Sequence, residues 1–185
     1  MRKNLGAKAI LYPMPVLIIG SYDVNGTPDA MNAAWGGISE ETQISICVSE
    51  DHKTTANILS HKAFTVSIAD AENVIAADYV GVVSGNNEPD KIKKAGWTIV
   101  KSENVDAPLF NELPLALECK LINYDEESCR LVGEIDNVCA DERILTDGKV
   151  DLSKFSPITY DSLNHDYLTL RDKVGKAFSD GLKLK

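Results

Sequence analysis

A lysine and two threonines mark the best candidate for an anion site in this sequence. The segment Glu50-Asp51-His52-Lys53-Thr54-Thr55 precedes Ile58 and Leu59, which predicts a helix that starts near Thr55 and ends near Leu59. The first N–H groups of a helix have no partner within it, so a helix start that also carries a lysine is suited to bind a phosphate. The threonine pair is also typical of an ordinary helix cap, and both interpretations stay open.

A run of small residues lies shortly before this segment. Asn32-Ala33-Ala34 ends a predicted strand and is followed by Trp35-Gly36-Gly37. Glycine and alanine let a flat ligand approach the backbone closely, although the same run also fits a plain strand edge. A platform for a planar ligand next to a phosphate site predicts a mononucleotide cofactor.

The strand that connects these two features alternates in polarity from Gln43 to Ser49. One face carries Ile44, Ile46 and Val48, and the other carries Ser45, Cys47 and Ser49. Cys47 lacks a resolving cysteine nearby in the sequence, so we interpret it as a packing residue rather than a redox thiol.

The remaining pattern predicts many short antiparallel strands with a few helices inserted between them. An Asn-Gly turn at Asn25-Gly26 follows a predicted strand, and a long hairpin pairs residues 115–124 with 131–140. Ile75 is assigned to the inner face of a helix with Val74 and Ala77. The other expected segments are strands at 9–12, 16–22 and 63–68, helices at 70–80 and 89–95, an irregular surface crossing at 104–114, and a closing amphipathic piece at 170–178. This order favours a mainly β (α+β) barrel in a single domain over residues 1–185, not a doubly wound parallel sheet.

Composition excludes several classes of function. The net charge of −9, from 19 basic and 28 acidic residues, argues against binding to nucleic acid or to an anionic membrane. The four cysteines and three histidines lack the spacing of a metal site, and Cys119, Cys129 and Cys139 are expected to be buried free thiols. Lys8 and two prolines interrupt the apolar N-terminal stretch, so we expect no export signal or membrane helix, and a cytoplasmic protein.

Several motifs in order along the chain resemble one family. They are Met31-Asn32-Ala33-Ala34-Trp35, Ile46-Cys47-Val48-Ser49, Lys53-Thr54, residues 77–85 with Asp90-Lys91, Gly133-Glu134-Ile135, residues 147–151, Pro157-Ile158-Thr159-Tyr160 and residues 174–178. Together they resemble the flavoredoxin branch of the flavin reductase-like, FMN-binding split-barrel family.

The resemblance implies a six-stranded antiparallel split β-barrel that forms a homodimer and binds one FMN per subunit. It places the flavin ring against Asn32, Ala33, Ala34 and Trp35 and against Cys47, Val48 and Ser49. It places the phosphate at Lys53 and Thr54, with Ser84 and Lys91 beside them. Tyr160, His165 and Tyr167 are candidates to border the ring or cover the site.

The resemblance also implies an oxidoreductase in which NADH or NADPH docks transiently and delivers hydride to flavin N5. The electrons would pass to free flavin, to a ferric complex or to a protein partner. No catalytic acid or base is required for the first step, and none is predicted. Two alternatives stay open: an FMN electron carrier that serves a redox protein, and a flavin-binding module without turnover. The sequence contains no G-x-G-x-x-G after a strand, so no Rossmann domain is expected.

Overall fold

The fold is mainly β, as predicted. The computed structural model describes residues 1–170 and 172–185. The strands are β1 (Met14–Pro15), β2 (Leu17–Tyr22), β3 (Pro28–Ala33), β4 (Gly36–Glu40), β5 (Gln43–Cys47), β6 (Ala63–Ile68), β7 (Ile99–Lys101), β8 (Pro108–Phe110), β9 (Leu115–Asp125), β10 (Arg130–Ala140), β11 (Leu145–Thr146), β12 (Lys149–Val150), β13 (Ile158–Asp161) and β14 (Asp166–Thr169). The helices are α1 (Lys53–His61), α2 (Val74–Val82) and α3 (Lys91–Lys94), with 3₁₀ turns at Glu142–Ile144 and Asp180–Leu184.

Seven strands form one antiparallel sheet in the order β3-β2-β6-β9-β10-β5-β4. Its two edge strands, β3 and β4, are joined by Ala34 and Trp35 alone. Because opposite edges of the sheet are separated by only two residues, the sheet must curl back on itself. Trp35 O accepts a 2.8 Å hydrogen bond from Cys47 N, which extends the pairing of β4 with β5 by one residue. The sheet has seven strands rather than the expected six, because the short β4 adds an edge.

Two apolar clusters lie on opposite sides of this curled sheet. One contains the inward side chains of the central strands, including Ile46, Phe64 and Leu131, together with Ile58 of α1. The predicted alternation of β5 is confirmed, since Ile44, Ile46 and Val48 are buried. The second cluster places α2 and α3 against β2 and β3 through residues such as Ala77, Val80, Ile92 and Trp97. Both α1 and α2 contact β3, α1 through Thr54 and Asp29 and α2 through Ala77 and Asn32.

Several local predictions need correction. Residues 9–12 form no strand and are largely exposed. Residues 104–114 are not a simple surface crossing, because β8 pairs with β7 and Val105, Ala107, Phe110 and Leu113 are buried. Ile75 is 84% exposed, because α2 begins only at Val74 and turns its Ala77–Val80 face inward.

The predicted segment at 170–178 also differs from the structure. Residue 171 lies outside the described residues. Residues 172–176 form no helix, and Val174 and Phe178 are fully exposed, so the i, i+4 apolar pair packs against nothing within the described residues. Cys119 is buried as predicted, whereas Cys129 and Cys139 are only partly buried because Cys129 lies in the β9–β10 turn and Cys139 near the end of β10.

Candidate functional site

A cavity of about 440 Å³ opens where β3 ends, between α2 and the β13–β14 hairpin. Small and apolar side chains form most of its wall, and hydrogen-bonding groups lie at its border. We call it the ring cavity. Its lining residues are Met31, Asn32, Ala33, Ala34, Trp35, Cys47, His52, Asp78, Gly81, Val82, Tyr160, His165 and Tyr167.

The floor of the ring cavity depends on a close approach between α2 and β3. Asn32 Nδ2 donates a 3.1 Å hydrogen bond to the carbonyl oxygen of Ala77, which fixes this side chain against α2. A Cβ atom at Gly81 would lie 2.9 Å from the Cβ of Asn32, so a larger residue there would push the helix away. The small residues of β3 and α2 therefore leave space for a flat ligand.

Aromatic side chains of the β13–β14 hairpin border this cavity. Tyr167 OH donates a 2.9 Å hydrogen bond to Asp78 Oδ1 on α2, and burial together with this carboxylate raises the pKa of Tyr167 to about 12. Tyr160 OH and His165 Nδ1 are 2.8 Å apart, and His165 has a φ of 61° in the hairpin turn. The hairpin is thus tied to α2 by a tyrosine that stays protonated at neutral pH.

A second cavity of about 270 Å³ continues from the first, and we call it the phosphate cavity. The two cavities share the residues Met31, Asn32, His52, Gly81 and Val82. The phosphate cavity is further lined by Asp29, Asp51, Lys53, Thr54, Val80, Val83, Ser84, Gly85 and Lys91. An elongated ligand with a flat apolar end and an anionic end can therefore occupy both cavities.

The start of α1 lies at the phosphate cavity with free amide groups. His52 at the N-cap makes no side-chain capping bond. Among the described residues, the N–H groups of Lys53, Thr54 and Thr55 have no hydrogen-bond acceptor. The two threonine hydroxyls are used elsewhere: Thr54 Oγ1 donates to Asp29 Oδ2 at 3.0 Å and Thr55 Oγ1 to Ser49 O at 2.7 Å. The anion-binding groups of this turn are thus its amides and not its hydroxyls.

Two lysines complete the phosphate cavity. Lys53 Nζ lies 3.5 Å from Asp23 Oδ2 and is largely but not fully shielded from solvent. Lys91 is 3% exposed, and its Nζ lies 3.0 Å from Asp29 Oδ1. A Cβ atom at Gly85 would lie 2.3 Å from Asp29 Oδ1, so only glycine leaves this space open. A cradle of free amides, lysines and an obligatory glycine fits a phosphate group.

The structure brings most of the predicted site residues together. Asn32, Ala33, Ala34, Trp35, Cys47, His165 and Tyr167 line the ring cavity, and Lys53, Thr54, Ser84 and Lys91 line the phosphate cavity. The interpretation of Cys47 as a packing residue needs correction, because its side chain is exposed at the end of β5, where it forms part of the ring-cavity wall.

Val48 and Ser49 line neither cavity. Val48 N donates to Cys129 O at 2.9 Å, and Val48 O accepts from Tyr124 OH at 3.0 Å. Ser49 O accepts from Thr55 Oγ1. The main-chain groups of these two residues hold the β5–α1 connection in place behind the cavities.

The sequence interpretation missed Asp29, Asp78 and Gly81 as site residues. Asp29 is a buried carboxylate on β3, and Asp78 and Gly81 lie on the same face of α2 at i, i+3 spacing. A charged residue among the mostly apolar residues of β3 was a usable signal for Asp29. The positions of Asp78 and Gly81 depend on how α2 packs against β3, which the sequence does not reveal.

Within residues 1–170 and 172–185, no group of three or more His, Cys, Asp or Glu residues could hold a metal ion. No helix in this part of the chain is long and apolar enough to span a membrane.

Solved structures that are similar to this chain include two flavoredoxins. The flavoredoxin of Desulfovibrio vulgaris (Miyazaki F) is 38% identical, with a TM-score of 0.94, and the match covers 98% of this chain and 100% of that chain. The flavoredoxin from Methanosarcina acetivorans is 26% identical, with a TM-score of 0.89 and full coverage of both chains.

Sequence comparison gives the same relationship. An uncharacterized protein of Aeropyrum pernix is 29% identical over 130 residues, which are 67% of this chain, and the match spans 49% of that relative's length. The model of the flavin reductase like domain family matches residues 9–160, which is most of the chain. This chain belongs to the flavin reductase-like family of FMN-binding split barrels and is a flavoredoxin-like member of it.

Proposed function

We propose that this protein binds FMN across the two joined cavities and acts as an FMN-dependent oxidoreductase. The observation that carries the proposal is the continuity of the ring cavity with the phosphate cavity through five shared residues. A flat ring with a ribityl phosphate has this shape and this distribution of polarity. The family is one of FMN-binding proteins, which supports the same ligand.

The residues divide into three groups by the part of FMN that they would hold. Asn32, Trp35 and Tyr167 would contact the ring, because they line the ring cavity near the β3–β4 junction. The amides of the first turn of α1 and the Lys53 ammonium would hold the phosphate. Met31 and Val82, shared by both cavities, would pack against the segment between ring and phosphate.

The chemistry belongs to the cofactor, and the protein supplies placement, electrostatics and access. When bound, FMN supplies the capacity to accept a hydride from NADH or NADPH and to pass the electrons on to free flavin, a ferric complex or a redox protein. Tyr167 stays protonated at neutral pH, because burial and then the hydrogen bond to Asp78 raise its pKa to about 12. No side chain of the chain is assigned as an acid or a base in this step.

A second candidate function is that of an FMN electron carrier. The 38% identity to a protein named flavoredoxin supports it, and the net charge of −9 is suited to docking on a basic redox partner. A carrier would keep FMN bound and exchange electrons with another protein, without rapid turnover of a nicotinamide.

We also propose that the chain forms a homodimer. Trp35 and Ile38 lie at the β4 edge of the sheet, and both are more than half exposed although they are large and apolar. An exposed edge strand with apolar side chains is typical of a surface that another chain covers.

The test is to add NADH and NADPH separately to the FMN-loaded protein without oxygen and to follow the visible spectrum. The reductase is supported if the flavin band bleaches at a rate that saturates with nicotinamide concentration. The band should then return when a ferric complex or free flavin is added. A flavin band that persists with both nicotinamides, but bleaches with dithionite, contradicts the reductase and favours the carrier or the non-catalytic module. Sedimentation of the same sample tests the dimer, and a monomer at micromolar concentration contradicts it.

A further inference from the structure

A buried carboxylate lies in the cavity that is proposed to hold the FMN phosphate. Asp29 is 2% exposed and lines the phosphate cavity. Its two oxygens bind two different segments: Oδ1 pairs with Lys91 at 3.0 Å and Oδ2 accepts from Thr54 at 3.0 Å. An acidic side chain is unexpected in an anion site, because it repels the ligand.

The ammonium group of Lys91 is fully used within the protein. Besides the ion pair with Asp29, its Nζ donates to Val83 O at 3.1 Å and to Val80 O at 3.5 Å. An ammonium has three protons, so these three acceptors account for all of them. A ligand can gain a hydrogen bond from Lys91 only if one of these bonds is lost.

The side-chain charges around the phosphate cavity cancel. Two lysines, Lys53 and Lys91, and two aspartates, Asp29 and Asp51, line it. A hydrogen bond from Ser49 is the main cause that holds the pKa of Asp51 below its ordinary value, so Asp51 is ionised at neutral pH. Lys53 is further balanced by Asp23 outside the cavity. A phosphate that carries between one and two negative charges therefore meets no net positive charge from side chains.

We propose that Asp29 is a specificity-determining residue that lowers the affinity of this site for the phosphate of FMN, so that FMN exchanges with solution. Asp29 does so by occupying the buried ammonium of Lys91 and by adding a negative charge to the cavity. Lys53 and the α1 amides are then the groups that bind the phosphate directly, and Lys91 is a positioning residue. This inference rests on the proposed binding of FMN.

The test is the variant Asp29→Asn, which removes the charge and keeps the shape. The new amide oxygen can accept from Lys91, and the new amide nitrogen can donate to the Thr54 hydroxyl, so both contacts have a replacement. Riboflavin serves as the matched ligand, because it has the same ring and no phosphate. Asp147→Asn is the matched control variant, because Asp147 lies in the exposed β11–β12 turn, outside both cavities, and changes the net charge equally.

The affinities of the apoprotein for FMN and riboflavin are measured by quenching of flavin fluorescence at low and high salt. We expect Asp29→Asn to bind FMN at least about tenfold more tightly at low salt, with slower release, and to bind riboflavin as the wild type does. The gain should shrink at high salt, because part of it is screened. Asp147→Asn should leave the affinities for FMN and for riboflavin unchanged.

Unchanged or weaker FMN binding by Asp29→Asn, with riboflavin binding retained, would overturn the inference and leave the proposed function intact. If Asp29→Asn loses both ligands, its fold has changed, and Asp51→Asn decides instead. Asp51 is exposed, so its replacement spares the core and should tighten FMN alone by a smaller factor; no tightening overturns the inference. A wild-type protein that binds neither flavin overturns the proposed function and this inference together.

Discussion

Tyr167 and Asp78 join the β13–β14 hairpin to α2 across the border of the ring cavity, with 2.9 Å between the phenol oxygen and Oδ1. The strands and the helix are 89 residues apart in sequence at this contact. This hydrogen bond is the link between β14 and α2, while the pairing of β13 with β1 and the packing of Tyr167 against the second apolar cluster also hold the hairpin in place.

Replacing Tyr167 by phenylalanine should weaken the binding of FMN and of riboflavin by the same factor, because the contact borders the ring and not the phosphate. A hydrogen bond to a charged group is worth about 1.5–3 kcal/mol, and only part of it affects the ligand, so we expect a loss of roughly three- to tenfold. Fluorescence titration with both flavins measures it. A loss confined to FMN would place Tyr167 at the phosphate instead.

Replacing Lys53 by alanine should weaken FMN binding and leave riboflavin binding nearly unchanged. Lys53 lines only the phosphate cavity and lies at the α1 start, where its charge adds to the free amides. The expected loss for FMN is about 10- to 100-fold, the range for a hydrogen bond between charged groups. Lys149→Ala, in the exposed β12, is the control. Equal losses for the two flavins would contradict the assignment of this cavity to the phosphate.

Replacing Gly85 by alanine should reduce both stability and FMN affinity. The added Cβ would lie 2.3 Å from Asp29 Oδ1 and 3.3 Å from Lys53 Cδ, so the buried Asp29–Lys91 pair has to shift. Overpacking of this kind costs about 1–3 kcal/mol in the free energy of unfolding. Thermal denaturation measures it. The matched control is Gly37→Ala, because nothing lies within 4 Å of a Cβ there, and a similar loss in both variants would show that Gly85 has no special role.

Stability should fall in acid partly through Glu118. This residue is 1% exposed; burial raises its pKa, but hydrogen bonds from Ser102, Asn104 and Asn137 outweigh burial and hold the pKa below the ordinary 4.5. Because the pKa of Glu118 is lower in the folded state, ionised Glu118 contributes fully to the free energy of unfolding above about pH 4.5. This contribution is lost as the pH falls through the lower, folded-state pKa.

The measurement is urea denaturation of the wild type and of Glu118→Gln between pH 7 and pH 3. We expect the variant to be less stable at pH 7 and to lose less stability on acidification, because glutamine does not titrate. Parallel pH profiles for the two proteins would show that Glu118 is not one of the groups responsible.

The fold was predictable from sequence where side-chain periodicity is strong. The alternation of Ile44, Ile46 and Val48 and the long β9–β10 hairpin both appear in the structure as expected. Short segments were less predictable, because their conformation depends on pairing that their own periodicity does not reveal: β8 forms by pairing with β7, and residues 9–12 are not part of any strand in the described chain.

The candidate site shows the same division. The residues within one local unit, from Asn32 to Thr54, could be grouped because they are close in sequence. The hydrogen bonds of these residues could not be predicted. Thr54 and Lys91 both contact Asp29, and both hydroxyls of the Thr54-Thr55 pair already donate to protein oxygens. The charge balance of the phosphate cavity is a property of the folded chain alone.

The central claim, that the two joined cavities bind FMN, is tested most directly by titrating the apoprotein with FMN and following both flavin fluorescence and the visible spectrum. We expect saturable binding of one FMN per chain, with a shifted flavin spectrum and with tighter binding of FMN than of riboflavin. No saturable binding, or binding that does not distinguish the two flavins, would contradict it.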